Sequence, residues 1–134
     1  MVQLSVDTLP LERDEHVVMA RQAVRQLAIA LGFSLVDQTK IVTAASELAR
    51  NTLQHGGGGT VLLETLNDRS RRGIRLTFED HGPGIPDINE AMRDGFTTSG
   101  GLGLGLAGSK RLSNEFAITS TPGHGTRVTI TKWK

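Results

Sequence analysis

The chain has 134 residues, 37% hydrophobic and 22% charged, which predicts one globular domain over 1–134 with a sizeable core. A formal net charge of +1 gives no electrostatic argument for nucleic acid, and the absence of cysteine excludes disulfides and thiolate metal sites. No apolar run approaches the roughly 20 residues of a membrane span, and the N-terminal "MVQLSVDTLPLERDEH" lacks the apolar stretch of a secretory signal, so a soluble cytoplasmic protein with no membrane or nucleic-acid partner is expected.

Residues 2–6, "VQLSV", predict a short edge strand. Over 13–33, Val17, Ala20, Val24, Leu27, Ala28 and Leu31 recur at helical spacing, and Gly32 ends that helix. Ser34 or Asp37 is placed to cap a second helix, "LVDQTKIVTAASELARNTLQH", which stops at the glycine run 56–59. That run is richer in glycine than a helix exit needs, and a loose loop is expected there. "TVLLETLN" reads as a strand, "DRSRRG" as a polar turn and "GIRLTFED" as the next strand. "HGPGIP" is a loop, "DINEAMRDG" a short helix and "FTTSGGLGLG" a flexible loop. A last helix begins in "LGLAGSKRLSN", with Leu104, Ala107 and Leu112 available for packing. "EFAITSTPGHGTRVTITKW" reads as a hairpin closed by "PGHG". The order β-α-α-β-β-α-α-β-β, with at least two hairpins, predicts an α/β two-layer sandwich with a mixed, mostly antiparallel sheet.

Glycine is the compositional oddity, at 16 residues. Gly103, Gly105 and Gly108 spell G-x-G-x-x-G, the pattern of a dinucleotide-binding turn. That turn needs a strand before it and an acidic residue about 20 positions on. "MRDGFTTSG" precedes it here, and no acid follows Glu115. The phosphate loop G-x-x-x-x-G-K-[ST] fails as well, because Ser109 follows Gly108. What remains is physical: residues 100–105 carry little side-chain bulk, and their N–H groups and the start of the next helix are able to hold an oligophosphate. Alone, the same run also fits a surface loop with a glycine-rich helix cap.

Three further stretches narrow the reading. Glu47, Asn51 and His55 are spaced i, i+4, i+8 along one helix face, beside Ile41, Ala45, Leu48 and Thr52, which look buried. Ala44 leaves room on that face. The Asn51 carbonyl oxygen suits a hard ion such as Mg²⁺, and the Glu47 carboxylate suits proton abstraction from a hydroxyl. In "GIRLTFED", Asp80 ends the apolar row Ile74, Leu76, Phe78, with Arg75, Thr77 and Glu79 on the solvated face. A carboxylate facing the core needs a donor; the exocyclic amine of adenine is one, and a turn capped by Asp is the plainer alternative. Thr126 ends the row Val128, Ile130 in the same way.

Taken in order, Glu47-x-x-x-Asn51-x-x-x-His55, Asp80-x-Gly82-x-Gly84, Gly101-x-Gly103-x-Gly105 and Gly125-Thr126 resemble the ATP-binding boxes of the gyrase–Hsp90–histidine kinase–MutL superfamily. Within it the chain looks like the small stand-alone serine kinases of partner-switching (stressosome-type) pathways, and the likeness spans almost the whole chain. The resemblance implies a Bergerat-type ATP-binding fold. It implies that Asn51 binds Mg²⁺, that Glu47 is the general base and that Asp80 holds the adenine amine. Gly82, Gly84 and Ile85 would shape the adenine pocket and Thr126 would support it. Residues 96–105 would form an ATP lid, with Gly101, Leu102, Gly103, Leu104 and Gly105 at the phosphates. The implied cofactors are ATP and Mg²⁺. The implied substrate is a serine or threonine of a STAS-domain antagonist, and a PP2C-type phosphatase is an implied second partner. The rivals are an anti-sigma factor that sequesters a sigma factor with the same fold, the catalytic half of a histidine kinase, and a plain ATPase. His16 lies in no long helical hairpin and reads as a surface residue. His81 and His124 fall in loops at the pocket edge.

Overall fold

The computed structural model describes residues 2–93 and 105–134, and the expected lid residues Gly101, Leu102, Gly103 and Leu104 lie outside these. The chain runs β1 (Val2–Leu11), α1 (Asp14–Ala30), α2 (Leu35–Gln54), β2 (Gly59–Asp68), β3 (Arg71–Asp80), α3 (Ile88–Ala91), α4 (Gly105–Arg111), β4 (Glu115–Thr121) and β5 (Gly125–Trp133). This is the predicted order of elements. The five strands lie in the order β1-β2-β3-β5-β4. The sheet, expected to be mostly antiparallel, is antiparallel at each of its four pairings.

The helices form because one stripe of each is apolar. Val17, Ala20, Val24 and Ala28 are the buried stripe of α1, with Asp14 and Glu15 at its positive end. Its exit is closed by Phe33 N–H donating to Ala28 O, at 2.9 Å. The Ser34 hydroxyl accepts from Asp37 N–H at 3.1 Å and caps α2. Asp37 instead reaches Lys132 of β5, 3.5 Å away, and fixes the start of α2 against the sheet.

The inner sheet face is built in rows across the strands. Val61, Phe78, Val128 and Ile118 are register partners in turn, as are Leu63, Leu76, Ile130 and Phe116. Most of these side chains are buried against Ile41, Ala44, Ala45 and Leu48 of α2. The final row is different: Gly59, Asp80, Thr126 and Ser120. The sheet thus ends, beside the C-terminal half of α2, in a polar row.

Three strand expectations are corrected in detail. β1 extends to Leu11, well past residue 6, although Pro10 cannot donate a ladder hydrogen bond. β1 is an edge strand, where proline is tolerated. The "DRSRRG" turn shrinks to Arg69 and Ser70, because Asp68 already pairs with Arg71 and Arg69 takes φ 59°. The face with Arg75 is not uniformly solvated: Glu64 on that face is 5% exposed.

Candidate functional site

A cavity of about 360 Å³ opens where the polar row meets α2, α3 and α4. It falls in the usual size range of small-molecule sites, roughly 300–1,000 Å³. Leu48, Phe78, Ile85, Leu106 and Val128 supply apolar wall, and Asn51, Asp80 and Thr126 supply polar groups.

Three segments that are far apart in the sequence meet here for specific reasons. Asn51 is half-buried on α2, one turn after Glu47. Asp80 and Thr126 are direct partners in the β3–β5 ladder, so their side chains stand together. Asp80 is 8% exposed. Its Oδ1 accepts from Gly82 N–H at 2.9 Å, a short turn that aims the loop after β3 across the cavity. Its Oδ2 lies against Gly56, which lines the same cavity.

Ser120 secures that loop. Its hydroxyl oxygen accepts from Ile85 N–H at 2.7 Å, lies 3.0 Å from Thr126 Oγ1, and its proton goes to Gly125 O at 3.1 Å. Gly123 N–H of the "PGHG" turn donates to Pro83 O at 2.8 Å. Gly84 takes φ 77°, and a Cβ there would lie 2.6 Å from Thr121 O, so no other residue fits without strain.

Of the residues the sequence singles out, Asn51, Asp80, Gly84, Ile85, Gly105 and Thr126 line the cavity together. His55, at the end of α2, lines it too. Gly82 sits behind the wall, packed on the Gly56 backbone. Glu47 is 1% exposed and does not line the cavity; its Oε1 is 3.6 Å from Arg50 Nη1. His81 and His124 lie in a shallower neighbouring hollow with Glu79 and Arg127.

The sequence reading missed Gly56 and Ser120. A Cβ on Gly56 would lie 2.2 Å from Asp80 Cγ and 2.5 Å from Oδ2, so the glycine makes the space that the carboxylate occupies. A Cβ on Gly59 would lie 2.0 Å from Glu79 O. Instead of the expected loose loop, the run makes a close approach at its two ends, Gly56 to the Asp80 side chain and Gly59 to the Glu79 backbone, while Gly57 has open space around it. The available signal was position: a glycine directly after a helix whose side chains face a ligand. Ser120 carried no signal, because a serine in an alternating strand is ordinary.

The cavity suits a flat, apolar base with an amine at Asp80. An asparagine oxygen donor nearby suits a hard divalent ion. Residues 36–134 match the family described as histidine kinase-, DNA gyrase B- and HSP90-like ATPase. The chain belongs to that family. Among named members of wider similarity, it is 51% identical over 117 residues to the serine/threonine-protein kinase RsbT of Bacillus subtilis, covering 87% of this chain and 88% of the relative. It is 31% identical over 138 residues to the anti-sigma F factor of Bacillus licheniformis, covering 97% of this chain and 91% of the relative. In structure it resembles the RsbU and RsbW domains of a Mycobacterium tuberculosis protein, with TM-score 0.62 and 20% identity over 98% of this chain and 32% of that one. It also resembles the SiaB–SiaC complex structure of Pseudomonas aeruginosa, with TM-score 0.58 and 12% identity, covering 98% and 91%. The last two likenesses concern the fold. No helix among the described residues is long and apolar enough to cross a membrane.

Proposed function

We propose that this ATPase-family chain, residues 1–134 acting as one unit, is an ATP-dependent serine/threonine-protein kinase of a partner-switching pathway. Its substrate is a hydroxyl on a STAS-domain antagonist, and a PP2C-type phosphatase is its second partner. The observation that carries the reading is the pairing of Asp80 with Thr126 on one wall of a cavity whose other wall presents Asn51. The 51% identity to a named serine/threonine kinase supports the choice of protein as acceptor. The anti-sigma alternative rests on relatives at a lower 31% identity.

Asp80 Oδ2 accepts from the adenine amine, while Ile85, Leu106 and Val128 exclude water from the base. Gly101, Leu102, Gly103, Leu104 and Gly105 would offer backbone N–H groups to the phosphates. Asn51 would hold Mg²⁺, and the ion would offset charge on the phosphate oxygens during transfer. Glu47 takes the proton of the acceptor hydroxyl.

Incubation with radiolabelled ATP and the STAS-domain protein encoded nearest this chain tests the reading. Label is expected on a serine or threonine of that protein. ATP binding without transfer, together with capture of a sigma factor, would replace it with the anti-sigma reading. Glu47→Gln is expected to keep ATP affinity and slow transfer by about 10²–10⁴-fold, the usual worth of a general base. Asn51→Ala is expected to abolish the Mg²⁺-dependent part of nucleotide binding, read by titration with and without the ion.

A further inference from the structure

Among the described residues, one buried side-chain nitrogen or oxygen has no hydrogen-bond partner: Nη1 of Arg50. Among the described residues it is paired with Glu47 Oε1 at 3.6 Å, close enough for an ion pair and too long for a hydrogen bond. The Arg50 side chain is 25% exposed and that of Glu47 is 1% exposed. A guanidinium nitrogen kept from water without an acceptor is costly, and native proteins retain such groups rarely. The position is informative. At i+3 and i+4 from Glu47, Arg50 and Asn51 flank it on either side of the same helix face. Glu47 stands between the residue facing the nucleotide and a cation with bonding capacity to spare.

We propose that Arg50 is a positioning residue for Glu47 and the group that receives the phosphomonoester formed on the acceptor side chain. This rests on the reading of Glu47 as the base. In the transfer step the acceptor hydroxyl gives its proton to the Glu47 carboxylate. Its oxygen forms the new bond to the γ-phosphorus, and the bond to the bridging oxygen breaks with its electron pair leaving on ADP. Before the step, Arg50 is compensated by the Glu47 anion. After it, Glu47 is neutral and a phosphomonoester anion has appeared beside it. The unbonded Nη1 then has the acceptor it lacked. The cation exchanges one anion for another, and at no stage is a buried charge left alone. The planar fork of arginine suits a phosphate better than a lysine ammonium does.

Three variants, R50Q, R50K and E47Q, decide this. Each is assayed for melting temperature, ATP affinity, transfer under single turnover, and affinity for the phosphorylated form of the STAS protein that the wild-type chain labels. R50Q is expected to hold ATP affinity within about twofold, and to lose about ten- to a hundredfold in both transfer rate and affinity for the phosphorylated protein. R50K is expected to recover part of both, since it restores the charge without the fork. An R50Q protein that transfers and binds phosphoprotein within about twofold of wild type, with E47Q inactive, overturns the proposal and leaves the base intact. Parallel loss of ATP affinity and transfer in both R50Q and R50K makes Arg50 a prop for the helix, which also overturns it. E47Q at the wild-type rate removes the base assignment itself, whatever Arg50 does.

Discussion

Gly56 shows how one missing side chain places another. The Asp80 carboxylate occupies the volume that a Cβ at residue 56 would fill, at 2.2 Å from Cγ. Gly82 packs on the same glycine, since its own Cβ would lie 2.7 Å from Gly56 Cα. Asp80 is buried on a rigid strand, so it cannot yield by swinging into water. Gly56→Ala is therefore expected to displace the carboxylate rather than unfold the chain. ATP affinity should fall by at least about tenfold, the worth of one charge-assisted hydrogen bond, while the far-ultraviolet dichroism keeps its native form. Isothermal titration of ATP checks this; wild-type affinity in Gly56→Ala would mean that Asp80 does not hold the base.

At the scale of elements, the loop after β3 is held by the hairpin of β4 and β5 rather than by its own residues. Ser120 satisfies Ile85 N–H, and Gly123 N–H reaches Pro83 O. Ser120→Ala leaves Ile85 N–H without an acceptor and is expected to cost about 1 kcal/mol of stability by urea denaturation. It should also weaken ATP binding, because Ile85 and Thr126 both lose their support. Ser120→Thr keeps the hydroxyl and is expected to cost less. Much of this architecture was legible in the sequence. The alternation of Ile74, Leu76, Phe78 and Asp80 showed that a carboxylate would face the core, and the buried burden of α2 followed from Ile41, Ala45, Leu48 and Thr52. What period cannot give is which strand lies beside which. The adjacency of Asp80 and Thr126 depends on β5 entering between β3 and β4, a choice made by long-range pairing. Gly56 and Ser120 escaped notice for the same reason: their roles exist only against partners distant in the chain. Arg50 escaped for another reason, since a helical arginine is ordinarily solvated and only packing shows that its Nη1 is not.

At the scale of the whole molecule, the helices among the described residues cover one face of the sheet and leave the other to the strands' own side chains. That face is closed by polar contacts across three strands. Arg75 of β3 donates to both carboxylate oxygens of Glu64 on β2, each at 2.9 Å, and Gln3 of β1 also donates to Glu64. At the far end Trp133 covers Gly73, donates to Glu115 at 2.7 Å and lies under Arg71, 4.1 Å from its ring centre. The Arg75 hydrogen bonds hold the Glu64 carboxyl below its ordinary value of 4.5 against the opposing effect of burial, and Gln3 adds to the lowering. Arg75 is shifted upward by the same contact. A carboxyl lowered in the folded state stabilises the fold above its unfolded pKa, and that contribution is lost as pH falls through the lowered folded value. Arg75 remains 34% exposed, so water screens the pair. Glu64→Gln is accordingly expected to cost about 1 kcal/mol at about pH 7. The gap from wild type should narrow as the pH is taken below the ordinary glutamate value and close once the pH has passed below the lowered folded value, where both chains carry a neutral group at residue 64. Urea denaturation of both proteins across that range measures it. A gap that stays constant down to the acid limit would mean that residue 64 contributes by packing and not by charge.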